Sequence, residues 1–226
     1  MVWGIIAALD AELALITRAM KTERVERICG ADFHLGKIGE NAVIAVCSSI
    51  GTINAAVCTT VLIRELGAQC VVNIGVAGSL SPSLRILDVV LGSELIFHDA
   101  DLDIIEKYYP FRRSFTADPS LLGLAQKSIE ALPHDYRCVV GPIASGDRFV
   151  ADTAAKEDIA SRCSCLCVEM EGAAVGQVAH MNGVPFLIIR SLSDDASEQA
   201  DASYDNFLDL AALNSAGIVL EMIRRS

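Results

Sequence analysis

Short apolar runs alternate with longer segments rich in small residues along nearly the whole chain, and Gly, Pro, Asp or Ser marks most of the switches. Such alternation constrains the chain to a layered α/β domain. Strands buried on both faces need covering helices, and a helix is the usual crossover between parallel strands. Residues 2–9, 42–47, 70–74, 88–97, 138–144, 165–169 and 185–191 read as strands. Residues 10–20, 52–66, 119–132, 153–161, 171–181 and about 204–224 read as helices. Asp10 is the expected N-cap of the first helix, and Gly67 stops the second. The expectation is a single domain over 1–226, three-layered, with a mixed, mostly parallel central sheet flanked by helices. No repeat, low-complexity tract or linker interrupts the pattern.

Apolar residues make up 52% of the 226 residues and aromatics only 5%. A core of Ala, Val, Leu and Ile fits strands sandwiched between helices. The net charge of −11 makes a poor surface for a polyanion, so no nucleic acid is expected as a partner. The first apolar run meets Asp10 and Glu12 without a basic start, unlike a signal peptide. No apolar stretch is seen to reach the ~20 residues that span a bilayer. The expectations are no membrane partner and a cytoplasmic location. Cys163, Cys165 and Cys167 alternate, so on a strand they would share a face. With no histidine nearby and no second cysteine pair, the eight cysteines read as reduced core thiols, and no metal is expected.

In open α/β sheets ligands gather at the carboxyl ends of the strands. Four such ends carry polar groups. Glu12 follows the first strand, in the first turn of a helix whose dipole favours its ionised form. The expected turn Gly75-Val76-Ala77-Gly78 follows the strand 70–74 and lets backbone approach a ligand. Glu169-Met170-Glu171-Gly172 ends the strand 165–169. Arg190-Ser191-Leu192-Ser193-Asp194-Asp195 lies at and beyond the end of the strand 185–191. Any one of these is ordinary; together they converge on one rim.

Those residues carry a resemblance. Gly4-Ile5-Ile6-Ala7-Ala8-Leu9-Asp10-Ala11-Glu12, Ser49-Ile50-Gly51, Asn73-Ile74-Gly75-Val76-Ala77-Gly78 and His98-Asp99-Ala100-Asp101 come in the order found in the 5′-methylthioadenosine/S-adenosylhomocysteine nucleosidases. Ser145-Gly146-Asp147-Arg148-Phe149-Val150, Val168-Glu169-Met170-Glu171 and Arg190-Ser191-Leu192-Ser193-Asp194 continue the series over nearly the full length. The resemblance implies a nucleoside phosphorylase-like fold, a purine nucleoside and water as the partners, no cofactor, and a homodimer. It also implies roles. Asp194 protonates purine N7, Glu12 deprotonates the attacking water, and Glu171 binds the ribose 2′-hydroxyl. Arg190 is a catalytic residue near the water and the carboxylates, Met170 packs under the sugar, Phe149 stacks on the base and the Val150 backbone reads its edge. Leu9, Ile50, Val76, Ala77, Gly78, Glu169, Ser193, Ala196 and Tyr204 complete the expected lining.

The chemistry asks for such groups. Breaking the C1′–N9 bond leaves positive charge on the sugar and negative charge on the base, so an acid at the base and carboxylates at the sugar both help. An acid working near neutrality needs a raised pKa, from burial or a like charge such as Asp195. Phosphate-using relatives carry an arginine at the position of Asn73, and Glu12 would repel a phosphate, so water is the expected nucleophile. Three departures stand out. Val76 replaces the Ser or Thr usual in this family, Gly172 and Asp195 replace small apolar residues, and 102–113 lacks the family's loop over the 5′ substituent. Tyr108, Tyr109 and Phe111 are candidates for an apolar lid, and Arg112 and Arg113 for partners of an acidic tail. The alternatives are a hydrolase of another 5′-modified purine nucleoside such as an aminodeoxyfutalosine-type metabolite, a phosphate-dependent phosphorylase, or a nucleoside-binding protein without catalysis.

Overall fold

The computed structural model describes residues 1–197 and 199–226, including every side chain among them except those of Asp201 and Ala202. Its frame is one ten-stranded mixed sheet flanked by helices. Strand β1 (Val2–Ala7) lies at the centre, where Trp3, Ile5 and Ile6 are wholly buried. It runs parallel to β4 (Asn41–Cys47) on one side and to β5 (Cys70–Ser79) on the other. Beyond β5 the sheet closes on itself. β10 (Phe186–Asp194) pairs parallel with β5 and antiparallel with β6 (Val89–Phe97). β6 pairs with β8 (Cys138–Ser145), β8 with β9 (Cys167–Glu169), and β9 returns to the end of β5. This ring brings β9 and β10, which flank β5, to one end of the sheet, and that juxtaposition builds the site.

The helices are α1 (Asp10–Ala19), α2 (Thr52–Arg64), α3 (Leu102–Lys107), α4 (Pro119–Glu130), α5 (Thr153–Cys163), α6 (Gly172–Asn182) and α7 (Ala200–Arg225). α7 packs on β10 and β5 beside α1 and α4, while α2 packs on α6. One buried cluster runs from Trp3 to Ile223. Asp118 starts α4 as a side-chain cap ahead of Pro119 at the first helical turn, a sequence pattern suited to that position.

Several expectations are corrected. Residues 21–38 form a hairpin, β2 (Lys21–Ile28) and β3 (Ala31–Ile38), antiparallel to each other and to β4. The charged, exposed β2 lacks the apolar run that identifies a buried strand; its turn is Cys29-Gly30, both at positive φ (50° and 84°), a two-residue hairpin connection. A two-residue strand, β7 (Phe115–Thr116), adds to the edge of β6. Asp10 is not the N-cap of α1. Leu9 holds that position in extended backbone, and the Glu12 side chain receives its N–H. Gly75-Val76-Ala77-Gly78 is not a turn, because β5 runs on through it to Ser79. The strand after residue 165 begins only at Cys167. Cys163 ends α5 and Ser164 is left-handed (φ 52°), so the three thiols do not share a strand face. Nor is an apolar stretch of spanning length lacking: Ser203–Arg225 is long and apolar enough to cross a bilayer, but half of its most apolar part is buried inside the protein, as for a core helix.

Candidate active site

A cavity of about 550 Å³ opens where β1, β9 and β10 end. Each wall comes from a different stretch. Ala8, Leu9 and Glu12 follow β1, Ile50 precedes α2, and Val76, Ala77 and Gly78 belong to β5. Val168 to Glu171 span the β9–α6 junction, Ser193 and Asp194 end β10, Phe149 follows β8, and Tyr204 and Asp205 belong to α7.

Glu12 is only 3% exposed. Its Oε2 accepts from the N–H groups of Ala8 and Leu9 (3.0 Å each), and its Oε1 accepts from Val76 N–H (3.0 Å). Burial pushes its pKa above the ordinary carboxylate value, against the pull of Arg190 and these three donors. The departure at Val76 therefore leaves Glu12's backbone donor in place. Gly75 and Gly78 have a role the sequence pattern does not express. In the β5–β10 register Gly75 faces Arg190 and Gly78 faces Asp194. A Cβ at Gly75 would stand 2.6 Å from Glu12 Oε1, and one at Gly78 2.7 Å from Asp194 Oδ1. Each glycine makes room for one acidic side chain, which is a different use from close approach of backbone to ligand.

Arg190, 1% exposed, lies behind the cavity at the hub of a buried network. It donates to Asn73 Oδ1 (2.6 Å) and to Glu169 Oε2, and stands 3.6 Å from Glu171 Oε2. Burial alone would lower its pKa, but Glu169, Glu171 and Glu12 outweigh it and raise it. Asn73, which also donates to the Ile6 carbonyl (3.0 Å), thus holds Arg190 in place. Glu169 borders the cavity, but its carboxylate is taken up inside the protein by Ser145 Oγ, Arg190 and the N–H groups of Glu171 and Gly172. It thus lines the cavity while its carboxylate supports Arg190 and the start of α6. Glu171 keeps its carboxylate at the cavity, where Oε1 accepts from Gly51 N–H (2.9 Å). Burial, then the charge of Glu169, pushes its pKa up to about 7.

At the other end Asp194 is 1% exposed, accepting from Ala196 N–H and Ser193 Oγ (2.8 Å each). Burial raises its pKa, and Asp195 adds a smaller push in the same direction. Phe149, at 43% exposure, meets Tyr204 edge-on with ring centres 5.8 Å apart, forming the mouth. Val150 is buried and lines a small side pocket that shares Phe149, Met170 and Asp194 with the main one. Ala196 is not on the main cavity wall; its N–H orients Asp194.

The structure therefore brings Leu9, Glu12, Ile50, Val76, Ala77, Gly78, Phe149, Glu169, Met170, Glu171, Ser193, Asp194 and Tyr204 to one cavity. Ala8, Val168 and Asp205 also line it and were not anticipated; Ser145, wholly buried, joins Glu169 to α6 and was likewise missed. A Ser ending a strand carries no signal of its own; only the β8–β9 register, which sets Ser145 opposite Glu169, reveals it. Tyr108, Tyr109 and Phe111 are each at least 60% exposed and none lines the cavity in this single chain, and Arg113 pairs with Asp103 and Glu106. Among the described residues, no cluster of three or more His, Cys, Asp or Glu has the arrangement of a metal site.

A family model described as the phosphorylase superfamily matches residues 3–224, which fixes the class of protein. A 5′-methylthioadenosine/S-adenosylhomocysteine nucleosidase from Bacillus thuringiensis subsp. konkukian is 36% identical over 225 residues, 97% of each chain. The nucleosidase of the same name from Colwellia psychrerythraea 34H, solved with adenine, superposes with a TM-score of 0.95 at 33% identity, covering 100% of this chain and 95% of that one. Futalosine hydrolase of Helicobacter pylori strain 26695 superposes at 0.93 and 32% identity, covering 100% and 98%. The chain belongs to the phosphorylase superfamily and, within it, to the family of 5′-methylthioadenosine/S-adenosylhomocysteine nucleosidases, which are N-ribosyl hydrolases.

Proposed function

We propose that this protein, read as one domain over 1–226, hydrolyses the N-glycosidic bond of 5′-methylthioadenosine and S-adenosylhomocysteine, releasing adenine and the 5-thio-ribose. The observation that carries the reading is the burial of Glu12, Glu171 and Asp194 on the walls of one nucleoside-sized cavity. Asp194, whose pKa burial raises, protonates N7 as the C1′–N9 bond breaks and the bond's electron pair leaves with the base. Positive charge develops on the sugar, facing Glu12 and Glu171. Water adds to C1′ and gives a proton to Glu12. Glu171 accepts from the ribose 2′-hydroxyl, Met170 packs under the ring, and Phe149 covers the base beside Val150. Arg190 balances the carboxylates from behind the cavity.

Water is favoured over phosphate because Glu12 occupies the attacking end and the Arg190 guanidinium of the buried network is already held by Asn73 and Glu169. A binding protein without catalysis is disfavoured because the backbone of Val76, and not its side chain, holds Glu12. The futalosine-type alternative draws on the Helicobacter pylori neighbour. Against it, the ion pairs of Arg113 with Asp103 and Glu106 already satisfy one of the two charges an acidic 5′ tail would seek. The reading also makes the protein a cytoplasmic homodimer. Eight cysteines outside any disulfide suit a reducing compartment, and Ile53, Val57 and Met181 expose apolar surface on the neighbouring helices α2 and α6. A single-chain mass in sedimentation would contradict the dimer.

The direct test is incubation with methylthioadenosine, adenosylhomocysteine, inosine and a 5′-aryl purine nucleoside, with and without phosphate, followed by detection of free base. Adenine should appear from the first two at the same rate in either buffer. Release that depends on phosphate, or that is confined to the aryl compound, would overturn the assignment.

A further inference from the structure

Glu171 occupies the N-cap position of α6, yet its side chain makes no cap bond. Its carboxylate accepts from Gly51 N–H instead. The first N–H groups of a helix have no partner within it, so those of α6 must be met from outside. Glu169 Oε2 takes the N–H groups of Glu171 (3.0 Å) and Gly172 (2.7 Å). Ser145 Oγ takes that of Ala173 (2.7 Å), and the same hydroxyl donates to Glu169 Oε1. One buried hydroxyl thus closes the helix start and steadies the carboxylate that grips Arg190.

We propose that Ser145 is a positioning residue for the ribose: by capping α6 from outside, together with Glu169, it leaves the Glu171 carboxylate free to face the sugar. The assignment rests on the reading of Glu171 as the partner of the 2′-hydroxyl. Removing the hydroxyl strands the Ala173 N–H and takes a donor from Glu169. The two carboxylates just before it in sequence, Glu169 and Glu171, then compete for that N–H. Capture by Glu171 takes the acceptor from the sugar directly. Capture by Glu169 loosens its hold on Arg190, and the guanidinium closes on Glu171, 3.6 Å away. Both routes draw Glu171 off the ribose.

The test compares kcat/KM of wild type and Ser145→Ala for methylthioadenosine and its 2′-deoxy counterpart. The preference for the ribo substrate should fall about tenfold, as for loss of one hydrogen bond to a charged group. Ser145→Thr, which keeps the hydroxyl, should retain the wild-type ratio. A merely structural role would lower the active fraction for both substrates alike; an unchanged ratio therefore overturns the proposal. A second readout needs no turnover. In a crystal structure of Ser145→Ala, Glu171 should either have lost the bond from Gly51 N–H or have Arg190 within hydrogen-bond distance of its carboxylate; finding the bond intact and the guanidinium still 3.6 Å away overturns the proposal. A wild type without preference between the two substrates would refute the role given to Glu171, and the crystal structure would then decide on Ser145 alone.

Discussion

Asp194→Asn should lower kcat for adenine release about 10²–10⁴-fold, the range for losing a general acid, with KM little changed. Asparagine matches aspartate in shape and keeps a carbonyl oxygen for the Ala196 N–H, while its amide nitrogen, which can donate to Ser193 Oγ, replaces the oxygen that accepted from it; it has no acidic proton to give to N7. Adenine on its own is a poor leaving group as an anion, so little of the reaction survives without that proton. The pH profile offers a matched check. Burial raises the Asp194 pKa, so its acid form persists to higher pH than that of an exposed aspartate, and activity should fall on the alkaline side as the proton is lost. That limb should vanish in the asparagine variant. A loss smaller than tenfold, measured as adenine released in phosphate-free buffer, would exclude Asp194 as the acid.

Arg190→Met should destabilise the protein by roughly 3–5 kcal/mol at pH 8, as expected when one partner of a buried ion pair is removed. The guanidinium stands among Glu169, Glu171 and Glu12 with almost no exposure, so its loss leaves buried carboxylates without a counter-charge. The deficit should depend on pH with a definite sign. Glu171 already titrates near 7 in the folded protein, above its ordinary value of 4.5, and removing the cation raises it further. A carboxyl raised by folding contributes stability that is fully present below the unfolded value and is lost as pH rises through the folded one. The variant should therefore lie closest to wild type near pH 4.5 and furthest from it at pH 8. Urea unfolding at the two pH values reads this directly, and an equal deficit at both would show that the carboxylates are not what Arg190 stabilises.

The buried strands were legible in the sequence because their apolar runs are dictated by burial on both faces, a local requirement. The hairpin 21–38 was not, since an exposed edge strand such as Lys-Thr-Glu-Arg-Val-Glu-Arg-Ile needs no apolar run. The acidic residues of the site were legible as residue types lying at or just beyond strand ends, and a resemblance gave them roles. What each contacts was not. The Gly75-Val76-Ala77-Gly78 segment reads as a turn to accommodate a ligand, whereas tertiary structure makes it a strand whose glycines accommodate Glu12 and Asp194. Glu169 and Glu171 stand two residues apart, look equivalent in sequence and both border the cavity, yet the carboxylate of one is consumed by Ser145 and Arg190 while that of the other accepts from Gly51. By itself the sequence determined the layered α/β class, the strands of the core and the acidic character of the rim. Only the tertiary structure decided which carboxylates face the cavity, because their hydrogen-bond partners come from strands far apart in the chain, joined by pairings that no local pattern encodes.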